Sequence, residues 1–255
     1  MLRVYEKIAE EIKRKNEMVL CTVTNTKGSV PRQKGAKMIV YRDGSIWGTI
    51  GGGNIEKRII QDALIAFKNR KSQGVKYDLV HDMNMCCGGS MEIFIEPIMN
   101  QNKLYIFGAG HTGNALAAIA TGLDFEVSIF DDRKDYLNEI SNANARKVHG
   151  DFETILPTLP FDENTYVVIL TYSHPVDRKI LAYGIKQPFA YLGMIGSQRK
   201  VEVTIKLFLE SGICTEEELE KVDMPMGLQI GAEGPYEIAI SIMAKLLAVK
   251  NKVTL

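Results

Sequence analysis

The stretch Leu104-Tyr-Ile-Phe-Gly-Ala-Gly-His-Thr-Gly113 decides the fold. A short apolar run ends in Gly108-x-Gly110-x-x-Gly113 and leads into Asn114-Ala-Leu-Ala-Ala-Ile-Ala120, a segment of helical composition. The reading is strand, tight turn, helix, the pattern of a dinucleotide-binding βαβ unit. In that pattern Gly108 permits the turn. Gly110 lets a pyrophosphate approach the backbone at a positive helix N-terminus, and Gly113 lets helix and strand pack closely. A second strand, Glu126-Val-Ser-Ile-Phe130, runs into Asp131-Asp132 about twenty residues on, where such folds place a ribose-binding carboxylate. Two readings stay open: the turn binds NAD(P) or another nucleotide, or its glycines serve packing and the ligand differs.

Working outward, the pattern beyond residue 100 alternates strands at 104–107, 126–130, 145–149, 166–170 and 190–194 with helical segments, which predicts a parallel sheet. Ligands of such sheets sit at the carboxyl ends of the strands, where the strand order reverses between the first and the fourth. That selects three loops: the glycine turn, Thr171-Tyr-Ser-His-Pro-Val-Asp177, and Ile195-Gly-Ser-Gln-Arg-Lys200. His111 and His174 are then expected at one site. Asp177 either orients His174 or caps the helix that begins there. The last segment, Met224 to Leu247, is a glycine-rich loop followed by an apolar helix, with Glu233, Pro235 and Glu237 as its start signals.

Before residue 100 the organisation differs. Val4, Ile8 and Ile12 stand at helical spacing, and Met18-Val-Leu-Cys-Thr-Val-Thr24 reads as a buried strand. A long polar loop from Asn25 to Gly35 follows, then a strand at 36–41 and a turn at Arg42-Asp-Gly44. Trp47-Gly-Thr-Ile-Gly-Gly-Gly-Asn54 opens a helix through about residue 69. Gly51, Gly52 and Gly53 leave bare N–H groups, an anion nest, with Lys27, Arg32 and Lys34 near in sequence. Strands are expected at 75–80 and at 91–96, the second ended by Pro97. Between them lies His81-Asp-Met-Asn-Met-Cys-Cys-Gly-Gly-Ser90. The polar break Pro97-Ile-Met-Asn-Gln-Asn-Lys103 divides the chain into residues 1–100 and 101–255. The expected class is α/β: a C-terminal Rossmann-like, doubly wound parallel sheet with a smaller N-terminal α+β domain.

Composition narrows the function. The 255 residues hold 31 basic and 31 acidic side chains, so nothing electrostatic points to nucleic acid or an anionic membrane. No apolar run reaches membrane-spanning length and the N-terminus reads as an amphipathic helix, so a cytoplasmic protein is expected. Four cysteines in a chain this long are thiols, not a disulfide framework. Cys21 and Cys214 read as small core residues, and His81 and His149 as ordinary core or surface histidines. Cys86 and Cys87, on a glycine-flanked loop, are candidates to ligate a soft metal or carry sulfur. No second ligand pair stands at zinc spacing.

Together these motifs resemble the XdhC/CoxI family, the xanthine dehydrogenase accessory factors that mature molybdenum hydroxylases. The resemblance rests on Gly28-Ser-Val-Pro-Arg32, Gly48-Thr-Ile-Gly-Gly-Gly-Asn-Ile-Glu56 and Cys87-Gly-Gly89 in the first half. In the second half it rests on Gly108-Ala-Gly-His-Thr-Gly113, Asp131-Asp-Arg133, the Thr171 to Asp177 loop, Gly193-Met-Ile-Gly-Ser-Gln-Arg-Lys200 and Gly227-Leu-Gln-Ile-Gly-Ala-Glu-Gly-Pro-Tyr-Glu-Ile-Ala239. It implies a chaperone that binds the molybdenum cofactor (molybdopterin), shelters it while a cysteine desulfurase supports sulfuration, and hands it to the apo-hydroxylase. A homodimer is in keeping with that role. The implied cofactor contacts are Ser29, Arg32, Gly51, Gly52, Gly53, Cys87, Gly88, Gly108, Gly110, His111, Gly113, Asp131, Ser197 and Arg199. Cys87 is the candidate molybdenum contact and Cys86 the second choice. The chain departs from the family in reading Thr171-Tyr-Ser-His174 where a Thr-His pairing is commoner, and in Asn54. The alternative is an NAD(P)-dependent oxidoreductase, with His174 and Asp177 as catalytic candidates and Arg199 on a substrate carbonyl. A third reading is a metalloenzyme using His111, His174 and an aspartate.

Overall fold

The computed structural model describes residues 2–79 and 88–253. The chain forms two compact units, Met1–Asn100 and Gln101–Leu255. In the first, α1 (Leu2–Lys13) precedes β1 (Met18–Lys27), β2 (Lys37–Tyr41) and β3 (Ile46–Gly48). Then come α2 (Gly53–Asn69), β4 (Gln73–Asp78) and β5 (Ser90–Ile98). The strands form an antiparallel sheet in the order β3-β2-β1-β5-β4.

The two-residue period of β1 explains why the sheet carries a helix on each face. Val19, Cys21 and Val23 point into a core with Ile55, Ile59, Ala63 and Phe67 of α2. Met18 and Leu20 point the other way, into a smaller core with Val4 and Ile8 of α1. Ile12, expected on the same stripe, is exposed. The inward position there belongs to Glu11, which pairs with Lys7 (2.6 Å) and accepts hydrogen bonds from Asn16 Nδ2 (2.6 Å) and Tyr41 OH (3.3 Å).

Two local expectations are corrected. Residues 46–48 form β3, too short to show a period and defined by pairing with β2. Pro97 does not end β5, which runs to Ile98. Pro97 lies opposite Val19, but β4 pairs with β5 only as far as Ile95, so one edge is unpaired where a strand tolerates proline.

The second unit is a parallel sheet of six strands: β6 (Asn102–Phe107), β7 (Phe125–Asp131), β8 (Arg146–His149), β9 (Thr165–Ile169), β10 (Tyr191–Met194) and β11 (Val222–Asp223). Their order, β11-β10-β9-β6-β7-β8, reverses between β6 and β9, the first and fourth strands in sequence. Within this unit β11 is the strand that the sequence did not disclose, since two residues carry no periodicity. Helices cover both faces, as the fully buried Thr165–Ile169 requires. The core of one face includes residues of α3 (His111–Ile119) and α9 (Gly234–Lys250), and these two helices pack together. The other face is lined from α5 (Phe152–Ile155), α6 (His174–Gly184), α7 (Gln198–Glu210) and α8 (Glu216–Leu219). A short α4 (Lys134–Asn138) follows β7. Among the described residues no helix is long and apolar enough to cross a membrane.

Candidate functional site

In the second unit the glycine turn closes β6 onto α3. A methyl group at Gly113 would collide with the Gly108 carbonyl oxygen, and one at Gly108 with the Leu170 carbonyl oxygen. Both glycines therefore let backbones touch. Gly110, the N-cap of α3, differs: a methyl there would meet nothing within 4 Å, so its backbone is open to a ligand. His111, next in the chain, is exposed.

Asp131 stands at the end of β7, where its spacing placed it, but its carboxylate is turned inward. It is fully buried, and its oxygens are already engaged. Oδ2 accepts from Ala109 N–H (2.6 Å) and Arg133 Nη2 (2.8 Å); Oδ1 accepts from Arg133 N–H (2.9 Å) and Nε (2.8 Å). Burial alone would raise its carboxyl, but the Arg133 and Ala109 donors outweigh that and hold it below the usual carboxylate range. Four donors on one carboxylate leave little capacity for ribose hydroxyls, so Asp131 ties the glycine turn to the end of β7. Arg133 lies between two rings, 3.9 Å from the centroid of Tyr136 and 4.3 Å from that of Tyr172. Tyr172 OH also donates to Asp132 Oδ2 at 2.8 Å. Tyr172 thus joins the loop after β9 to the loop after β7.

Asp177 does not cap α6, whose N-cap is Ser173. It is fully buried one turn inside the helix. Its Oδ1 accepts from Thr171 N–H (2.9 Å) and Thr171 OH (2.6 Å), which fixes the loop after β9. Its Oδ2 receives no hydrogen bond of good alignment, and His174 Nδ1 stands 3.3 Å away. Burial raises the Asp177 carboxyl above its ordinary value, against the Thr171 bonds and the His174 attraction. Of the two roles left open for Asp177, orienting His174 is the one this geometry favours. His174 lines a cavity of about 330 Å³ with Arg178, Ser197, Arg199 and Lys200. His111 is not among the lining residues. No group of three His, Cys, Asp or Glu side chains among the described residues could hold a metal ion, so the His111, His174 and aspartate centre finds no support. Arg178 was legible in principle, since it follows His174 by one helical turn.

In the first unit three motifs distant in sequence meet. A methyl group at Gly28 would stand 3.0 Å from Gly88 O and 3.1 Å from Gly89 Cα. One at Gly89 would run into the carbonyl oxygens of Ser29 and Lys27, and one at Gly51 would stand 2.6 Å from Pro31 Cγ. The loop carrying Ser29 and Arg32, both exposed, is thus pressed against the Gly88-Gly89 segment on one side and the triple glycine on the other. Gly51, Gly52 and Gly53 all have positive φ (148°, 74° and 65°), which restricts these positions to glycine. The expected anion nest is partly filled from within. Glu56 Oε2 accepts from Thr49 OH (2.5 Å), Ile50 N–H (3.2 Å) and Gly52 N–H (3.2 Å), and Gly51 N–H donates to Thr49 Oγ1 (3.3 Å). A phosphate at these donors would compete with Glu56. Methyl groups at Gly52, Gly53 or Gly88 would meet nothing within 4 Å, so the rim stays bare.

Cys86, Cys87 and His81 lie outside the described residues. Cys21 and Cys214 are buried thiols; burial pushes Cys21 up to about 12 and raises Cys214. His149 Nε2 lies 3.1 Å from the Asp132 carbonyl oxygen.

Comparison with known proteins places this geometry. Residues 104–246 match the family model described as the XdhC Rossmann domain, and residues 12–78 match that of the XdhC and CoxI family. The chain is 35% identical over 238 residues to the uncharacterized protein YqeB of Escherichia coli K12, covering 91% of this chain and 43% of that one. It is 29% identical over 162 residues to a protein of Bacillus subtilis 168 named as a probable xanthine dehydrogenase component, covering 63% and 47%. The molybdenum cofactor insertion chaperone PaoD of E. coli K12 is 20% identical over 285 residues, covering 91% and 83%. This chain therefore spans less than half the length of the first two relatives. A solved structure described as a xanthine dehydrogenase from Bacillus halodurans shares the fold, with a TM-score of 0.53, 20% identity, and 98% and 96% of the two chains covered. With both family models matched in chain order, the chain belongs to the XdhC and CoxI family.

Proposed function

We propose that this chain is an accessory factor for a molybdenum hydroxylase: it binds the molybdenum cofactor, supports its sulfuration and delivers it to the apo-enzyme. The observation that carries the reading is the convergence of Gly28-Ser-Val-Pro-Arg32, Gly51 to Gly53 and Gly88-Gly89 in the first unit. Such a cofactor offers a phosphate, a polar pterin and a soft metal. The converging loops offer the exposed Arg32 and Ser29, bare glycine backbone, and Cys87 adjoining Gly88 in sequence. Cys87 would meet the metal or its sulfido ligand, with Cys86 second. When bound, the cofactor supplies the redox chemistry that the client enzyme uses. The chain's own residues would hold it. A relative named as a molybdenum cofactor insertion chaperone supports this role. A molybdenum hydroxylase would be the client, and a cysteine desulfurase is the second partner that the family resemblance implies. The protein would act in the cytoplasm, as a homodimer able to shelter the cofactor.

The competing NAD(P)-dependent oxidoreductase would use Gly110 and the α3 N-terminus for pyrophosphate. It is disfavoured by Asp131, whose oxygens are taken up internally. The test is molybdenum and pterin content of protein purified anaerobically from cells that make the cofactor, for wild type and Cys87→Ser, alongside the activity of a co-expressed apo-hydroxylase. Near-stoichiometric metal and pterin, lost in Cys87→Ser, is the expected result. No molybdenum in either protein, with tight NAD(P) binding, would replace this reading with the oxidoreductase.

A further inference from the structure

The proposed function places its site in the first unit; the cavity between α6 and α7 in the second unit holds Ser197 and Arg199, two further contacts that the family resemblance implies, and its lining is unusual for a chain of zero formal net charge. Arg178 comes from the second turn of α6, and Arg199 and Lys200 from the first turn of α7. None of the three takes part in an ion pair among the described residues, although the surface elsewhere pairs Lys with Glu repeatedly. Three like charges around one cavity repel one another, a cost that an anion in their midst would reverse.

Two further features point the same way. Ser197, the N-cap of the 13-residue α7, makes no side-chain cap bond, so the first-turn N–H groups at the cavity wall lack that partner. His174 Nδ1 stands 3.3 Å from the buried Asp177 Oδ2, which has no hydrogen bond of its own, and this leaves Nε2 as the ring nitrogen available to a ligand. The cavity, at about 330 Å³, exceeds what a bare phosphate fills, and Met194 and Val203 give it an apolar side. Guanidinium forks select tetrahedral oxyanions, and three cations call for more than one negative charge.

We propose that this cleft is an organic-phosphate site. Arg178, Arg199, Lys200 and the α7 N-terminus grip a phosphate monoester or diphosphate. His174, positioned by Asp177, contacts the same oxyanion, and the rest of the ligand lies against Met194 and Val203. The phosphate belongs to a phosphorylated pterin or to a nucleotide.

Titration calorimetry of the full chain with inorganic pyrophosphate tests it, followed by competition with ADP and with a pterin phosphate ester. Wild type should bind pyrophosphate saturably at one site, and Arg178→Gln with Arg199→Gln should weaken binding at least tenfold at an unchanged melting temperature. The His174 ring resonances should shift on binding. Displacement by ADP at lower concentration would name a nucleotide as the source; displacement by the pterin ester would name the cofactor. Absence of saturable binding, an affinity unchanged in the double variant, or failure of both esters to displace pyrophosphate would overturn the proposal. If the double variant does not fold, Lys200→Gln at the exposed helix start is the substitute and should lower affinity severalfold.

Discussion

Asp131→Asn separates a structural carboxylate from a ligand-binding one. The wild-type group accepts four hydrogen bonds, three of them from Arg133 and one from Ala109. Asparagine keeps one acceptor and turns an NH₂ group toward donors, so about two charge-assisted bonds are lost, each worth about 1.5–3 kcal/mol. Breaking a buried ion pair from one side costs about 3–5 kcal/mol, and the two routes agree. Arg133 retains partial exposure and its two aromatic partners, which places the expected loss at about 3–4 kcal/mol. For a unit of this size, that corresponds to a fall in melting temperature on the order of 10 °C, read by circular dichroism. Because the folded carboxyl titrates below its unfolded value of about 3.9, its stabilisation is complete above that pH and is lost as pH falls through the window beneath it. The gap between wild type and variant should therefore narrow from pH 6 to pH 3, and Ala109 should exchange its amide hydrogen faster in the variant at pH 6. A loss below 1 kcal/mol with a large drop in nucleotide affinity would refute the reasoning and restore Asp131 as a ribose ligand.

Four other substitutions probe the two units. Gly113→Ala sets a methyl against the Gly108 carbonyl and should lower stability by more than about 2 kcal/mol in urea unfolding, whereas Gly110→Ala, facing open space, should cost under about 1 kcal/mol. Glu56→Ala removes the carboxylate that collects Thr49, Ile50 and Gly52; it should cost about 1–3 kcal/mol, and saturating phosphate should recover part of that in a thermal melt. A variant indifferent to phosphate would mean that the triple glycine is only a turn. Glu11, held down to about 2 by Lys7 and then Asn16 against the opposing effect of burial, supplies stability that is full above its unfolded value near 4.3 and is lost from there toward pH 2. Glu11→Gln should therefore flatten the acid limb of the stability curve, and an unchanged limb would remove Glu11 from that account.

What the sequence determined by itself is what local pattern can encode. The apolar run into Gly108-x-Gly110-x-x-Gly113, the strands alternating with helices beyond it, and the reversal of strand order at β6 and β9 follow from composition, period and the handedness of crossovers. The glycine motifs were legible as places where backbone must come close, and their order along the chain carried the family resemblance. The partners chosen across long separations were decided only in the tertiary structure. Asp131 turns its oxygens to Ala109 and Arg133, and Glu56 fills the nest that three glycines advertise. Tyr172 reaches across to Arg133 and Asp132, and Arg178 joins Arg199 and Lys200 around one cavity. β3 and β11 likewise exist by virtue of the strands they pair with. The physical reason is the same in each case: a period or a turn is set by neighbours in the chain. Whether a polar group is free for a ligand depends on which donors and acceptors folding brings within about 3 Å of it, and that is a property of the packed molecule.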